Sequence, residues 1–489
     1  MNMNKPLAFI LAAIMMISIC GAVAATEASD TQELRKMETA ADANEWIGVF
    51  LGEDPASLDG EWAMVPEMEA AVTALGGIKG MAASLSMLGE VKEIGSAYEG
   101  ELKGFKVFYV PCKFSLMSVN LVLATQDGAI AGLTTAPYNP GEGETNANEE
   151  GTETAPGEEE TNAGEEATAA PAEEETDAGA EEANFDSIEL ALPVPSLDGE
   201  LPGTLTIPKG DGSFPAVVLI HGSGSSDRDE TVGSVKPFKD LAEGLAKYGV
   251  AVYRFDKRSY VYGEQMMDDK ELTLEDESIE DAVNAVQLLA GQERIDSDRI
   301  FVLGHSLGGN VIPVIARDLE EAEVKASGFI MLAASPRPLD ELMREQYDFL
   351  YSLMPEVSEE QQAEKDRVFE ELDKLKNLDA LSEDDTVLGV YSSYWKWLAK
   401  YDALETAKEV TGPCLLLQGE EDYQVTMQDF AMWKEALGEK DNWQMKSYPG
   451  LTHTFTPGEK SEGAAVYSRP AKVDEQVIED IAAFIGEQK

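Results

Sequence analysis

A serine flanked by glycines, between an apolar stretch and a helix-compatible stretch, is the feature that most constrains this chain. Residues 304–309 read GHSLGG, after the mostly apolar run at residues 299–303 and before the helical pattern at residues 310–319. This order predicts a strand, a tight turn and a helix. Glycine tolerates the strained dihedrals and close backbone contacts of such a turn, because it has no Cβ. Ser306 is therefore the leading candidate for a nucleophile, and a plain glycine-rich turn is the alternative.

The chain has 489 residues, which indicates two or three domains at about 150 residues each. Residues 1–24 carry Lys5, then an apolar run, then small residues, and this order predicts a signal peptide and a secreted or extracytoplasmic protein. An uncleaved membrane anchor formed by the same segment is the alternative. Beyond it only Cys112 and Cys414 remain, which predicts two buried thiols and no disulfide framework.

The composition excludes some partners. The formal net charge is −56, and such a surface repels nucleic acid and anionic membranes, so neither is expected as a partner. The histidines, cysteines and carboxylates do not have the spacing of metal ligands, so we expect no metal and no other cofactor.

A composition change divides the chain. Residues 139–184 are rich in Glu, Gly, Ala and Thr and lack basic and aromatic residues, which predicts a disordered acidic linker. Residues 31–138 before it predict a small α+β domain, with helices at residues 31–51 and 62–75 followed by three strands. Its aromatic residues are interpreted as core, with a groove for a cell-surface or polysaccharide ligand as the alternative. These residues are Trp46, Trp62 and Phe108.

After the linker, residues 185–489 alternate strand-like runs with helical patterns. This alternation predicts an α/β domain with a mostly parallel sheet covered on both faces. Residues 335–411 are helical and charged, which predicts a helical lid inserted into this domain. Four lid residues are candidates for the wall of an acyl pocket, with ordinary helix packing as the alternative. They are Met354, Tyr391, Tyr394 and Trp395.

A serine hydroxyl needs a base to activate it, and that base needs a carboxylate to fix its tautomer. His453 follows the last predicted strand in a polar, turn-prone segment, so it is the predicted base. Asp422 follows the preceding strand and a glycine turn, so it is the predicted carboxylate. Glu420 and Glu421 are the competing acids.

The oxyanion of a tetrahedral intermediate needs two preorganised donors. The backbone N–H of Leu307, directly after the nucleophile, is one candidate, and that of Ser223, in the glycine-rich loop after a strand, is the other. His221 is predicted to be structural. The charge clusters at residues 227–230 and 256–258 are predicted to form ion pairs that brace the active-site loops, or else a solvated surface.

Five segments together resemble exported α/β-hydrolases of the dienelactone-hydrolase and prolyl-oligopeptidase-related type. They read HGSGSSDRDE, YRFDKRS, GHSLGG, LLLQGEEDYQV and GLTHTF, and the resemblance covers residues 185–489. It implies the α/β-hydrolase fold and a triad of Ser306, Asp422 and His453. Ser259 departs from the glycine that this family usually has there. Residues 31–138 resemble the uncharacterised domain found ahead of exported α/β-hydrolases, which implies a cystatin-like or NTF2-like fold.

The leading hypothesis is an exported carboxylesterase that cleaves small-molecule esters of small acyl groups, as most characterised members of the resembled family do. The same groups also cleave amides, so a serine peptidase or aminopeptidase is the alternative. A third hypothesis is a ligand-binding front domain joined to a degenerate hydrolase. The complete set of triad residues argues against degeneracy.

Overall fold

The computed structural model describes two stretches of the chain. The first is residues 34–137, without residues 53, 59, 66–67, 70–71, 73–77, 86–90, 103–104 and 115–117, and the second is residues 184–488, without residues 355–356 and 358. The predicted signal peptide and nearly all of the predicted acidic linker lie outside the described residues. No helix within these two stretches is long and apolar enough to cross a membrane.

The first stretch packs helices against an antiparallel sheet. Its helices are Ala40–Phe50 and Ile78–Ser84, with a 3-10 turn at Pro55–Leu58. Its strands are β1 (Val91–Ile94), β2 (Tyr98–Leu102), β3 (Phe105–Phe114), β4 (Ser118–Gln126) and β5 (Ala129–Pro137). The sheet runs β1-β3-β4-β5, and β2 also pairs with β3. Helices on one antiparallel sheet agree with the predicted α+β class, while the cystatin-like or NTF2-like identity stays a prediction.

Both helices predicted in this unit begin later than expected. The helix predicted at residues 31–51 begins at Ala40. The helix predicted at residues 62–75 does not begin at Trp62, because Trp62 forms a β-bridge with Arg35 and Met64 forms another with Ile130. The helical residues described in this segment are Met68, Glu69 and Val72. Tertiary pairing here overrides the helical period. Strands β1 and β2 were not predicted.

The aromatic residues of this unit lie in its core. Trp46 and Phe108 are completely buried, and Trp62 is 2% exposed. All three belong to one hydrophobic cluster. They therefore stabilise the fold, and the alternative of an aromatic groove formed by these residues is not supported.

The second stretch is an α/β unit. Its strands are β6 (Phe185–Glu189), β7 (Leu192–Val194), β8 (Gly199–Leu201), β9 (Gly203–Pro208), β10 (Phe214–Ile220), β11 (Ala251–Phe255), β12 (Ile295–His305), β13 (Gly328–Leu332), β14 (Thr386–Val387), β15 (Val390–Tyr391), β16 (Cys414–Gly419) and β17 (Trp443–Tyr448). Its helices are Pro237–Lys247, Arg258–Val261, Gly263–Met267, Glu280–Ala290, Leu307–Asn310, Ile312–Glu321, Leu339–Ser352, Glu359–Asp373, Ser392–Lys400, Ala403–Glu409, Met427–Leu437 and Glu475–Glu487. A π-helical turn spans Glu275–Ile279, and 3-10 segments span Pro195–Leu197, Lys374–Ala380 and Lys460–Ser468.

Eight of these strands form one sheet in the order β17-β16-β13-β12-β10-β11-β9-β6. The six strands from β17 to β11 are parallel, and β9 and β6 are antiparallel to their neighbours. This confirms the predicted mostly parallel sheet. In such sheets ligands bind beyond the carboxyl ends of the strands. The segments predicted to hold the active site follow the carboxyl ends of β10, β12, β16 and β17.

Helices cover both faces of the sheet. Successive strand residues point to opposite faces, so the neighbours of two consecutive residues identify the helices on each face. In β10, Val217 packs with the helices Pro237–Lys247 and Glu475–Glu487, whereas Val218 packs with the helices on the other face, which include Glu280–Ala290. The two predicted thiols, Cys112 and Cys414, are free and buried, as expected from the sequence.

The lid segment, residues 335–411, contains helices and a short hairpin, β14–β15. The helices Leu339–Ser352, Glu359–Asp373 and Ser392–Lys400 contribute to a hydrophobic cluster of their own. Ala403 and Ala407 of the helix Ala403–Glu409 pack in the main core, and so does Tyr394 of the helix Ser392–Lys400. The lid boundary at residue 411 therefore stays a prediction.

Candidate active site

Ser306 lies in a strained turn between β12 and the helix Leu307–Asn310. Its φ is +54° and its ψ is −118°, a conformation that non-glycine residues seldom adopt. The turn brings backbone segments together: a Cβ on Gly304 would overlap the Gly308 carbonyl, and a Cβ on Gly308 would overlap the His221 carbonyl. This is the strand, turn and helix that the sequence predicts around Ser306.

His453 and Asp422 form a buried pair. His453 Nδ1 lies 2.7 Å from Asp422 Oδ2, and the two residues are 5% and 2% exposed. The ring of His453 lies 4.6 Å from the ring of His305, the residue before Ser306. The arrangement holds the imidazole with Nδ1 facing a carboxylate, as a general base requires.

The competing acids have other partners. Glu420 accepts a hydrogen bond from the Ser447 hydroxyl at 2.8 Å, and Glu421 accepts one from the Lys460 backbone N–H at 3.2 Å. Asp422 is thus the acid of this loop that the structure brings to His453.

The glycine-rich loop after β10 lies beside Ser306. A Cβ on Gly222 would lie 3.0 Å from the Ser306 Cβ, so only glycine fits this approach without displacement. Among the described residues, neither the Ser223 N–H nor the Leu307 N–H has a hydrogen-bond acceptor. Both residues line the same cavity as Ser306. Two unpaired backbone donors therefore border Ser306, as an oxyanion site requires.

A second buried pair, Glu230 and His305, lies behind these loops. His305 Nδ1 is 2.9 Å from Glu230 Oε2, in an ion-pair contact that lacks the alignment of a good hydrogen bond. His305 Nε2 donates to the His453 carbonyl at 3.0 Å, so both ring nitrogens face acceptors. Burial opposes the charged form, but the Glu230 carboxylate raises the pKa of His305 above its usual value, and His305 in turn lowers that of Glu230.

The sequence did not identify this pair, although Glu230 lies in one of the two predicted charge clusters. The only signal was the position of Glu230 within a dense charge run after the oxyanion loop.

The charge clusters form ion pairs around the active-site loops, as predicted. Arg228 contacts Asp256 at 3.0 Å, and buried Arg258 contacts Asp281 at 2.5 Å. Ser259, the departure from the family pattern, is buried in the helix Arg258–Val261, and its carbonyl accepts a bond from the Ser225 hydroxyl at 3.2 Å.

His221 is structural, as predicted. Its Nε2 contacts the Asp227 carbonyl at 3.0 Å, and its ring packs on Phe238 and Phe255. Burial lowers the pKa of His221, which favours the neutral form of the ring.

A cavity of about 680 Å³ lies between Ser306 and the lid segment. This volume suits a small-molecule ligand. Of the four predicted wall residues, Tyr391, Tyr394 and Trp395 line the cavity, whereas Met354 packs in the lid's own cluster. In the described part of the chain, His, Cys, Asp and Glu form no group that could hold a metal ion.

Known proteins that are similar to this chain include esterases and a peptidase. The chain is 41% identical over 285 residues to Esterase EstD of Thermotoga maritima; the match covers 58% of this chain and 65% of that protein. Two solved structures are weaker neighbours. Est1E from Butyrivibrio proteoclasticus has a TM-score of 0.40 at 17% identity, covering 61% of this chain and 98% of Est1E. A puromycin-hydrolyzing peptidase of Mycobacterium tuberculosis has a TM-score of 0.41 at 16% identity, covering 78% of this chain and 46% of the peptidase.

A family match covers the half of the chain that carries the candidate site. Residues 214–461 match the Hydrolase_4 family, described as serine aminopeptidase, S33. The matched range includes Ser306, Asp422 and His453. The resemblance to α/β-hydrolases is thereby confirmed, and the chain belongs to the Hydrolase_4 family of serine hydrolases.

Proposed function

We propose that this protein hydrolyses small-molecule carboxylic esters of small acyl groups. In this proposal Ser306 is the nucleophile, His453 is the general base and Asp422 orients His453. The backbone N–H groups of Leu307 and Ser223 bind the oxyanion. The proposal requires no metal and no other cofactor.

The observation that carries the proposal is the position of Ser306. It borders the cavity at a strained turn, next to two unpaired backbone donors and close to a buried His–Asp pair. Ester hydrolysis, among the reactions such a site performs, is favoured by the 41% identity to an esterase. The chain spans about 65% of the length of that relative, so activity is inferred from the shared part.

The proposed reaction has two halves. Ser306 Oγ attacks the acyl carbon while His453 Nε2 takes the hydroxyl proton, and the carbonyl oxygen becomes an oxyanion between the two N–H donors. The C–O bond to the alcohol then breaks, and His453 returns the proton to the leaving alcohol. Water attacks the acyl enzyme in the same way, with His453 as base, which releases the acid and restores Ser306.

The test is hydrolysis of p-nitrophenyl esters of increasing acyl length by the full chain, beside Ser306→Ala. We expect the rate to fall with acyl length and to vanish in Ser306→Ala, because loss of a triad nucleophile costs about six powers of ten in kcat. Equal rates for Ser306→Ala and the wild type would refute the assigned nucleophile. Rising rates for long chains would refute the small-acyl preference.

The family description favours a second candidate, because it includes aminopeptidases. An aminopeptidase must hold a free amino group of its substrate, and the acidic side chains of Asp269 and Asp340 line the cavity. The test is the hydrolysis of aminoacyl anilides under the same conditions. A kcat/KM for anilides above that for every ester would replace the esterase proposal with the aminopeptidase.

We also propose export of the chain, on the pattern of residues 1–24 alone. Amino-terminal sequencing of the mature protein tests it. A start at or just after residue 25 supports cleavage, an intact amino terminus in the membrane fraction supports the anchor, and an intact amino terminus in the cytoplasm refutes export.

A further inference from the structure

Two buried charged side chains contact the backbone of Gly222, the residue before the proposed oxyanion donor. The Gly222 N–H donates to Glu230 Oε1 at 2.8 Å, and Lys257 Nζ donates to the Gly222 carbonyl at 2.8 Å. The Gly222 carbonyl and the Ser223 N–H belong to one planar peptide group, in which they point in opposite directions. The position of Lys257 therefore sets the direction of the Ser223 N–H.

Lys257 is a buried cation with one close counter-charge. It is 2% exposed, and its Nζ lies 3.1 Å from Glu277 Oε1. Glu277 is 8% exposed and lies in the π-helical turn Glu275–Ile279. A buried charge without a partner is strongly unfavourable, so Lys257 and Glu277 keep each other in place.

The same carboxylate reaches the lid segment. Glu277 Oε2 accepts a hydrogen bond from the Tyr394 hydroxyl at 2.7 Å, and Tyr394 lies on the lid helix Ser392–Lys400. Glu277 and Tyr394 both line the cavity. A continuous chain of contacts thus runs from the lid through Tyr394, Glu277 and Lys257 to the peptide that carries the Ser223 N–H.

We propose that Lys257 is the positioning residue for the oxyanion donor, and that Tyr394 and Glu277 make its position depend on the seating of the lid. This inference rests on the proposed function, because it assumes that the Ser223 N–H binds an oxyanion. It predicts that these three side chains affect the transition state more than substrate binding. The reason is that the Ser223 N–H interacts with negative charge that develops on the substrate oxygen during the reaction.

The central variant is Lys257→Met/Glu277→Gln, which removes both buried charges together and so avoids leaving an unpaired ion. Removal of one oxyanion donor costs about a hundredfold to a thousandfold in kcat, so a misdirected donor should cost about tenfold to a hundredfold. We expect this loss in kcat, a KM within about threefold of the wild type, and slower labelling of Ser306 by a fluorophosphonate. In that labelling Ser306 attacks the phosphorus and fluoride leaves, which also places a negatively charged oxygen in this site.

Tyr394→Phe tests the link to the lid, because it removes only the hydroxyl that contacts Glu277. We expect a smaller loss of kcat in the same direction. The matched control is Tyr351→Phe, which removes another buried lid hydroxyl, one that donates to the Gln361 carbonyl at 2.9 Å, and we expect it to keep the wild-type kcat. Lys257→Arg retains a cation and a donor, and should keep more activity than the double variant.

The outcomes separate this inference from the proposed function. If the double variant is folded and keeps the wild-type kcat and labelling rate, Lys257 does not position the donor. If KM rises while kcat holds, the network binds substrate and the inference is wrong. If the wild type cleaves no ester, the proposed function fails, and the labelling rates of Ser306 still decide whether Lys257 positions an oxyanion donor.

Discussion

Asp422→Asn is the substitution that most directly tests the arrangement of the site. Asp422 Oδ1 accepts the backbone N–H groups of Gln424 at 2.7 Å and Val425 at 2.9 Å, while Oδ2 faces His453 Nδ1 at 2.7 Å. The two backbone donors would hold the carbonyl oxygen of an asparagine, so its NH₂ group would face His453. His453 Nδ1 would then accept a bond, and its proton would move to Nε2.

A His453 that is protonated on Nε2 cannot take the Ser306 proton. In serine-protease triads the same exchange lowers kcat by about four powers of ten, which corresponds to about 5 kcal/mol in the barrier. Asp422 Oδ2 also accepts from Gln418 Nε2 at 3.1 Å. Loss of these charge-assisted bonds should also lower the free energy of unfolding, by about 1 to 3 kcal/mol.

The assay is steady-state hydrolysis of a p-nitrophenyl ester by the wild type, Asp422→Asn and Glu421→Gln, each with a thermal unfolding curve. Glu421→Gln is the matched control, because Glu421 is a neighbouring acid of the same loop whose carboxylate contacts the Lys460 backbone. We expect a kcat near the wild type for the control. A folded Asp422→Asn protein within tenfold of the wild-type kcat would refute the reasoning, as would an equal loss in Glu421→Gln.

Two further predictions concern the loop behind the nucleophile. Gly222→Ala should lower kcat about tenfold to a hundredfold with the fold retained, because the new Cβ pushes against Ser306. Its control is Gly486→Ala, whose Cβ meets no atom within 4 Å. An unchanged kcat in Gly222→Ala would contradict the close approach of Gly222 to Ser306. Glu230→Gln should lower the unfolding temperature most between about pH 4.5 and 6.5. Ionised Glu230 stabilises the fold above its ordinary pKa of 4.5, and protonated His305 stabilises it below its ordinary pKa of 6.5, so both charges contribute fully only in this range. The difference from the wild type should shrink as pH rises through the raised pKa of His305, and unfolding curves at pH 5.5 and 8.5 that differ equally would contradict the charged pair.

The groups proposed to react were predictable because their signals are local. The turn at Ser306 is encoded within a few residues, by an apolar strand before it and by glycines that admit close backbone contact. Asp422 follows its strand by a short glycine turn. The order of strands and helices likewise follows from apolar runs and their period. Such signals predict the structure correctly because the strand, the turn and the helix are contiguous in the chain.

Elements that depend on distant pairing were not predictable in the same way. The segment at Trp62 reads as helix, yet it forms bridges with the strand-like segments at Arg35 and Ile130. The packing of the lid segment is a second case. The helix Ala403–Glu409 has the composition of a lid helix, but its small buried residues, Ala403 and Ala407, pack under the main sheet. In both cases contacts with residues that are distant in the chain, and not the local sequence pattern, determine the structure.

The buried network around Lys257 also joins residues that are distant in the chain. The sequence indicates that Lys257 lies in an ion-pair cluster, but its counter-charge, Glu277, lies in a different helical turn, and Tyr394 is more than a hundred residues further along the chain. Tyr394 was predicted only as a wall of the cavity, which it also is. Because one side chain both lines the cavity and holds the network, substitutions of Tyr394 that change the shape of the cavity should also alter catalysis by Ser306. The proposed role of Lys257 therefore predicts that specificity and rate are coupled at this position of the lid.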